Sequence, residues 1–403
     1  MQAKAAIYLD SNAGAPLHPS VVKALLHFLG STQGSLIANS SSNHFHGRQA
    51  RRQVSEAKES ILHSLGSASG ELFFCSSGTE SNQFAIRSIL EDRLNGAAPH
   101  WVTTPVEHES VLVLVEWFKK HGGQVSFLPV DKDGLPQVEQ LASICRPETA
   151  LVSLIWVNNE TGVITDVRRA SEILKPLGIP LHLDGAQAWG KQILELDNLG
   201  ADFVSFSGHK IGALPGSGLL WARDSKMVKS LILGKQQDGK RGGTENIVGI
   251  ISLGAAAAAL DPVCWSNQVA LMRIRLEEAV LNLIPGSIIN GVGAPRAANT
   301  INFSFQGIET SGLVAALDLA GYSVSSGAAC ASGTPEPSQV LLAMGKTENQ
   351  AKSAIRVSIS SRIEWSSLEG FVTELARIVS QMRKTVGAQS TRQKVRSEWA
   401  PTL

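Results

Sequence analysis

The stretch SSGAACASG (325–333) contains one reactive group, the thiol of Cys330, among residues too small to bury much surface. A free thiol often serves as a small buried hydrophobe, and the local sequence leaves that reading open. The chemical alternative is a thiolate, a nucleophile that can carry an atom covalently. Lys210 stands in SFSGHKIG, directly after a hydrophobic run, beside His209 and between Gly208 and Gly212. Most lysines are solvated, but one held in a crevice sheds its proton more easily and can form a Schiff base. Asp184 ends the apolar run of HLDGAQ, where an acid either caps a helix or faces a ring nitrogen and keeps it protonated.

A third feature is SSGTES (76–81), a small-residue turn entering a helix. Free backbone N–H groups and the positive helix end make such a turn a phosphate seat. Ser77 and Glu80 also have the spacing of an ordinary capping box. An amine, an acid and a phosphate seat at successive strand ends are together what pyridoxal phosphate requires.

The elements that must position these groups follow a repeated design. ELFFCS (71–76) and HWVTTP (100–105), which leads into VEHES, read as strands, and TALVSLIWVNNETG (149–162), IPLHLDGAQ (179–187) and ADFVSFSGHK (201–210) each begin as a buried strand and stop abruptly in polar residues. TESNQFAIRSILEDRL (79–94) has apolar residues at helical spacing. Strands alternating with helices predict an α/β fold with a large, mostly parallel sheet. Ligands of such sheets lie beyond the carboxyl ends of the strands, so the polar ends are expected to share one site. After about residue 265 the rhythm changes. ANTINFSF and AIRVSIS read as strands and a final helix spans roughly 365–386, which predicts a smaller α+β domain. The expected division is a large domain over 14–262, a small one from 1–13 plus 263–386, and a basic tail over 387–403.

Composition narrows the function further. The net charge of +1 provides no electrostatic footprint for nucleic acid. No run approaches the roughly 18 apolar residues that span a bilayer. MQAKAAIYLDSN lacks the apolar core of a signal peptide, so a cytoplasmic protein is expected. Cysteines at 75, 145, 264 and 330 show neither CxxC pairing nor the density of a disulfide framework, and no metal site is expected.

GTESN, VNNETG, HLDGAQ, SFSGHK, KRGGTEN and SSGAACASG with EPSQVL occur in this order along the chain. Together they resemble the pyridoxal phosphate-dependent cysteine desulfurases of the class-V aminotransferase family, the type serving iron–sulfur cluster and nitrogenase assembly. The likeness runs from YLDSNAGAPLHP (8–19) to about residue 385 and is to the long-cysteine-loop branch. It implies a fold-type I enzyme, a homodimer, L-cysteine as substrate and a separate sulfur acceptor or scaffold protein.

Carried onto this sequence, the resemblance makes Lys210 the Schiff-base lysine, Asp184 the partner of the pyridinium nitrogen and His108 the proton shuttle stacked on the ring. Asn159 and Gln187 would bond the phenolic oxygen. Thr79, Ser207, His209 and the Gly78 backbone would grip the phosphate, and Thr244 would reach the phosphate of the other subunit. Arg356 would clamp the substrate carboxylate, with Asn159 nearby, and Cys330 would take the sulfur as a persulfide. Gly327 and Gly333 would let the Cys330 segment move, and Cys75 is read as packing. NAGAP replaces the usual NATTP and so removes two hydroxyls at the site entrance. The chain also departs from the family at GHKIGALPGSG, VSISSRIEW and GKQQDGKRGGT. A selenocysteine lyase, another β-lyase and a non-catalytic scaffold of the same fold are the alternative functions.

Overall fold

The computed structural model describes residues 6–31, 37–95, 98–326 and 336–398. Its strands in chain order begin with β1 (Ile7–Tyr8), β2 (Glu71–Cys75), β3 (His100–Thr103), β4 (Gln124–Phe127), β5 (Thr149–Ile155) and β6 (Leu181–Asp184). They continue with β7 (Phe203–Ser207), β8 (Gly218–Ala222), β9 (Ser287–Ile289), β10 (Thr300–Phe305), β11 (Tyr322–Ser323) and β12 (Ala354–Ser358).

Seven strands form one sheet in the order β2-β8-β7-β6-β5-β3-β4. From β7 to β4 every neighbouring pair is parallel, while β8 runs antiparallel to both β7 and β2. All seven residues of β5 are buried, as an apolar run covered on both faces requires. In β2, Leu72 and Phe74 join one core layer while Phe73 and Cys75 join another, following the two-residue period of a strand. The first layer is closed by the helices Phe45–Ser64 and Ile247–Ala257 through Val54, Ala57, Ile250 and Leu253. On the opposite face lie the helices Gly78–Leu90 and Glu109–Lys120, whose Phe84, Ile86, Val111 and Phe118 cover the sheet. The indole rings of Trp101, Trp189 and Trp221 are completely buried. Truncating any one to alanine would cost about 3–5 kcal/mol.

A second core gathers on a three-stranded antiparallel sheet, β12-β10-β9. Phe303, Phe305, Ile355 and Val357 pack there against Leu313 and Leu317 of the helix Thr310–Leu319 and Phe371 and Leu375 of the helix Trp365–Glu398. Leu9 belongs to this core because β1 pairs in parallel with β11 (Ile7 opposite Tyr322, Tyr8 opposite Ser323). The N-terminal segment therefore serves the second core before it crosses to the first.

Several sequence boundaries shift. The first long α/β helix ends at Leu90 and is followed by a 3-10 turn over Asp92–Asn95 rather than running to 94. The strand read at 100–105 stops at Thr103, and the last helix continues past 386 to Glu398. Among the described residues, no single helix is long and apolar enough to cross a membrane.

Candidate active site

The polar strand ends meet in a cavity of about 490 Å3 between the two cores. From the large sheet it is lined by Gly78, Thr79, His108, Asn159, Asp184, Gln187, Ser207, His209 and Lys210. Arg356 and Ser325 reach it from the second core. Thr244 does not line this cavity; it lies in a neighbouring cleft with Arg241 and Cys75. Cys330 lies outside the described residues.

Lys210 ends the 3-10 turn that follows β7, where Gly212 takes φ +81° and lets the chain reverse. Its Nζ donates to the carbonyls of Asn12 (2.6 Å) and Ala13 (2.9 Å). Burial pulls the amine down to about 8, helped by the Arg356 charge and opposed by Asp10 and Asp184. At neutral pH a useful fraction of Lys210 is then an uncharged nucleophile.

Asp184 is buried at the end of β6. Its Oδ1 accepts the Ala186 N–H at 3.0 Å and its Oδ2 accepts from Asn82 Nδ2 at 2.8 Å. The same Asn82 nitrogen donates to Ser110 Oγ (2.9 Å), which lies 2.8 Å from His108 Nδ1. His108 caps the helix Glu109–Lys120 by accepting the Ser110 N–H at Nδ1, so Nε2 is the nitrogen left to exchange a proton with a ligand. Aspartate and histidine are thus fixed relative to one another through a single amide and a single hydroxyl.

At the turn after β2, Ser77 caps the helix by accepting the Glu80 N–H. The Glu80 carboxylate does not close a capping box on Ser77. It accepts from Ser76 N and Ser76 Oγ and pairs with Arg241 at 2.9 Å. The first helical residues, Gly78 and Thr79, open onto the cavity. A Cβ on Gly78 would stand 3.2 Å from Ser207 Cβ, so glycine keeps the turn close to β7. Ser207 Oγ lies 2.9 Å from His209 Nδ1, and burial with the Lys210 charge holds His209 down at about 4, hence neutral.

Arg356, in β12, is buried and donates to Asp10 Oδ1 (2.6 Å) and to the Asn159 carbonyl (3.1 Å). Its Nε has no hydrogen-bond partner among the described residues, nor does the buried Oε2 of Glu107. A buried guanidinium with an unused N–H inside a polar cavity suits a carboxylate ligand. The amine, the fixed acid, the helix-start cradle and this guanidinium fit pyridoxal phosphate and an amino-acid substrate.

Four further residues have no local signal in the sequence. Asn12 is 2% exposed and sits at the centre of the site. Its side chain bonds the Asn159 carbonyl, Thr300, Asn299 and Lys191, while its carbonyl accepts from Gln187 and Lys210. Asn82 and Ser110 build the relay just described. Glu107 accepts from Thr104 Oγ1 (2.6 Å) and the Ile155 N–H (2.9 Å), and burial pushes its carboxyl up to about 8. The other thiols are poor nucleophiles or remote. Cys75 is buried and pushed up to about 12, Cys145 is raised by burial to about 11, and Cys264 is exposed.

A sheet of this order, with an amine after β7 and an acid at the end of β6, defines a pyridoxal-enzyme architecture. The sequence profile of the family Aminotransferase class-V matches residues 7–369, and the chain belongs to that family. It is 39% identical over 380 residues to the cysteine desulfurase of Cereibacter sphaeroides, covering 94% of this chain and 96% of that protein. It is 35% identical over 381 residues to the cysteine desulfurase NifS of Azotobacter vinelandii, covering 94% and 93%. Among solved structures, a NifS-like protein superposes with a TM-score of 0.85 at 28% identity, over 93% of this chain and 99% of that one.

Proposed function

We propose that this protein is a pyridoxal phosphate-dependent cysteine desulfurase, which converts L-cysteine to L-alanine and places the sulfur on Cys330 as a persulfide. The observation that carries this reading is Lys210, a half-buried amine pulled down to about 8 on the wall of a cavity it shares with Asp184, His108 and Arg356.

Pyridoxal phosphate, when bound, supplies an electron sink that lets the substrate lose its α-proton and opens its sulfur to attack. Lys210 would hold the cofactor covalently, and Asp184, fixed by Asn82 and Ala186, would keep the ring nitrogen protonated. Gly78 and Thr79 at the helix start, with Ser207 and His209, would take the phosphate. Gln187 and Asn159 would bond the ring oxygen. Arg356 binds the cysteine carboxylate and orients the substrate. His108, with Nδ1 engaged by Ser110, moves the proton at Nε2. The Cys330 thiolate attacks the substrate sulfur, the carbon–sulfur bond breaks, and the three-carbon residue leaves as alanine after protonation.

Thr244, in its separate cleft, would serve the phosphate of a partner subunit, and the enzyme works as a cytoplasmic homodimer. A sulfur-acceptor or scaffold protein takes the persulfide onward, in iron–sulfur cluster assembly or a thio-modification route. The two hydrophobic cores support a PLP-binding domain over 14–262 and a small domain from 1–13 plus 263–386.

The test is purified, cofactor-loaded protein with L-cysteine and a thiol reductant, scored for alanine, sulfide and a mass gain of one sulfur on Cys330. Sulfur release from cystine or selenocysteine that survives loss of Cys330 would instead identify a β-lyase or selenocysteine lyase.

A further inference from the structure

Lys191 is an ionisable residue that the chemistry above does not use. It follows β6 in the turn Trp189–Gly190–Lys191 and is 6% exposed. Its Nζ donates to Asn12 Oδ1 (2.9 Å) and to Gln187 Oε1. Gln187 lines the ligand cavity, whereas Lys191 does not. The glutamine is therefore gripped from behind by its oxygen, and its Nε2 lies on the side of the Asn12 carbonyl, to which it donates at 3.0 Å. That carbonyl also accepts from Lys210.

An amide has one acceptor atom and one donor atom, and an amine facing the first turns the second away. With a hydrophobic residue at 191, the single bond from Nε2 to the Asn12 carbonyl would be left to orient the Gln187 amide. An amide that turned away from it would aim a carbonyl at the ligand and repel an anionic oxygen there. We propose that Lys191 is a positioning residue: it locks the Gln187 amide so that the cavity presents an N–H donor, matched to an anionic ring oxygen on the ligand. This rests on the reading of the cavity as the pyridoxal phosphate site. Burial pulls Lys191 well below its ordinary value, with Lys210 and Arg356 adding to the effect. The role survives that shift, because an amine keeps N–H groups to donate whether or not it is charged.

The experiment compares wild type, K191M, Q187A and the double variant as cofactor-loaded proteins. The readout is the pH midpoint of the visible absorption, which reports the proton shared between the ring oxygen and the Lys210 nitrogen. A donor aimed at that oxygen weakens its hold on the proton and lowers the midpoint. K191M therefore raises the midpoint by about half a unit or more, and most of this rise vanishes in the Q187A background. Asp10, Asp184, Lys210 and Arg356, the charged groups around Lys191 and Lys210, are the same in both backgrounds, so their fields cancel. An unmoved midpoint, or an equal rise with and without Gln187, overturns the proposal. A wild-type protein that takes up no cofactor overturns the reading of the cavity instead. Should K191M not fold, wild-type protein labelled with 15N-glutamine is titrated with pyridoxal phosphate, Q187A providing the assignment. Displacement of the Gln187 side-chain resonance on binding supports the proposal, and a stationary resonance in visibly loaded protein overturns it.

Discussion

Ser325 and Arg356 exchange a pair of backbone hydrogen bonds, Arg356 N–H to the Ser325 carbonyl at 2.7 Å and Ser325 N–H to the Arg356 carbonyl at 3.2 Å. The segment that leads to Cys330 is therefore rooted on the strand residue whose side chain reaches the substrate cavity. Its return is also tied to the site, since Ser338 Oγ donates to Oε2 of the buried, cavity-lining Glu160.

Arg356→Gln should lower kcat/KM for L-cysteine about 100-fold, a loss of about 2.7 kcal/mol. A charged, bidentate-capable donor is removed while an N–H for one bond remains. The change should fall mainly on KM, because the carboxylate is bound equally before and during the reaction. Steady-state kinetics at several cysteine concentrations decide this, and an unchanged KM removes Arg356 from the clamp.

Lys210 should set the pH dependence of cofactor capture. Its folded value of about 8 lies below that of a free lysine, so the reactive uncharged form gains as pH rises through 8. Mixing protein stripped of cofactor with pyridoxal phosphate should give a capture rate that climbs about tenfold per pH unit below 8 and levels off above it. Borohydride reduction followed by peptide mapping should place the label on Lys210. A label on Lys191 would reassign the roles of the two amines.

Cys330→Ser should leave the visible absorption and the fold intact yet abolish persulfide formation and sulfide release. Of the other cysteines, Cys75 and Cys145 are raised by burial, and Cys264 is exposed and lines a different cavity. None is placed to substitute. Sulfide release at the wild-type rate would refute the persulfide role.

Glu107 should make the cofactor-free protein less stable in alkali. Its folded value of about 8 is raised above that of a free carboxyl, so its contribution is complete below the free carboxyl value, falls as pH rises from there, and is gone above 8. Glu107→Gln keeps the acceptor for Thr104 and the Ile155 N–H while removing the titration. Urea unfolding at pH 9 should find the variant more stable than wild type by on the order of 2 kcal/mol. Below the free carboxyl value the two should coincide.

Groups announced by their strand ends were the legible part of the site. Lys210, Asp184, His108 and the turn at Gly78 each follow an apolar run that breaks off in polar residues, a pattern contained within a few positions. The fold class was readable for the same reason. The antiparallel β8 was not, since GLLWA carries no sign of its direction. Asn12 was equally silent. Its partners Gln187, Lys191, Lys210 and Asn299 stand 175 to 287 residues away, and no spacing rule spans such separations. Asn82 and Ser110 look like ordinary residues near the starts of their helices until Asp184 is placed beside them.

The stretch from Ile7 to Ala13 behaves as a strap pegged at both ends. Ile7 and Tyr8 are stitched to Tyr322 and Ser323, and the peptide carbonyls of Asn12 and Ala13 hold the Lys210 amine. Between those pegs Leu9 and Ser11 bond the backbone of Ser323 and Ser358, so one short run of chain joins the second core to the amine on which the chemistry begins. A substitution that displaced this run would take both carbonyls away from Lys210 at once.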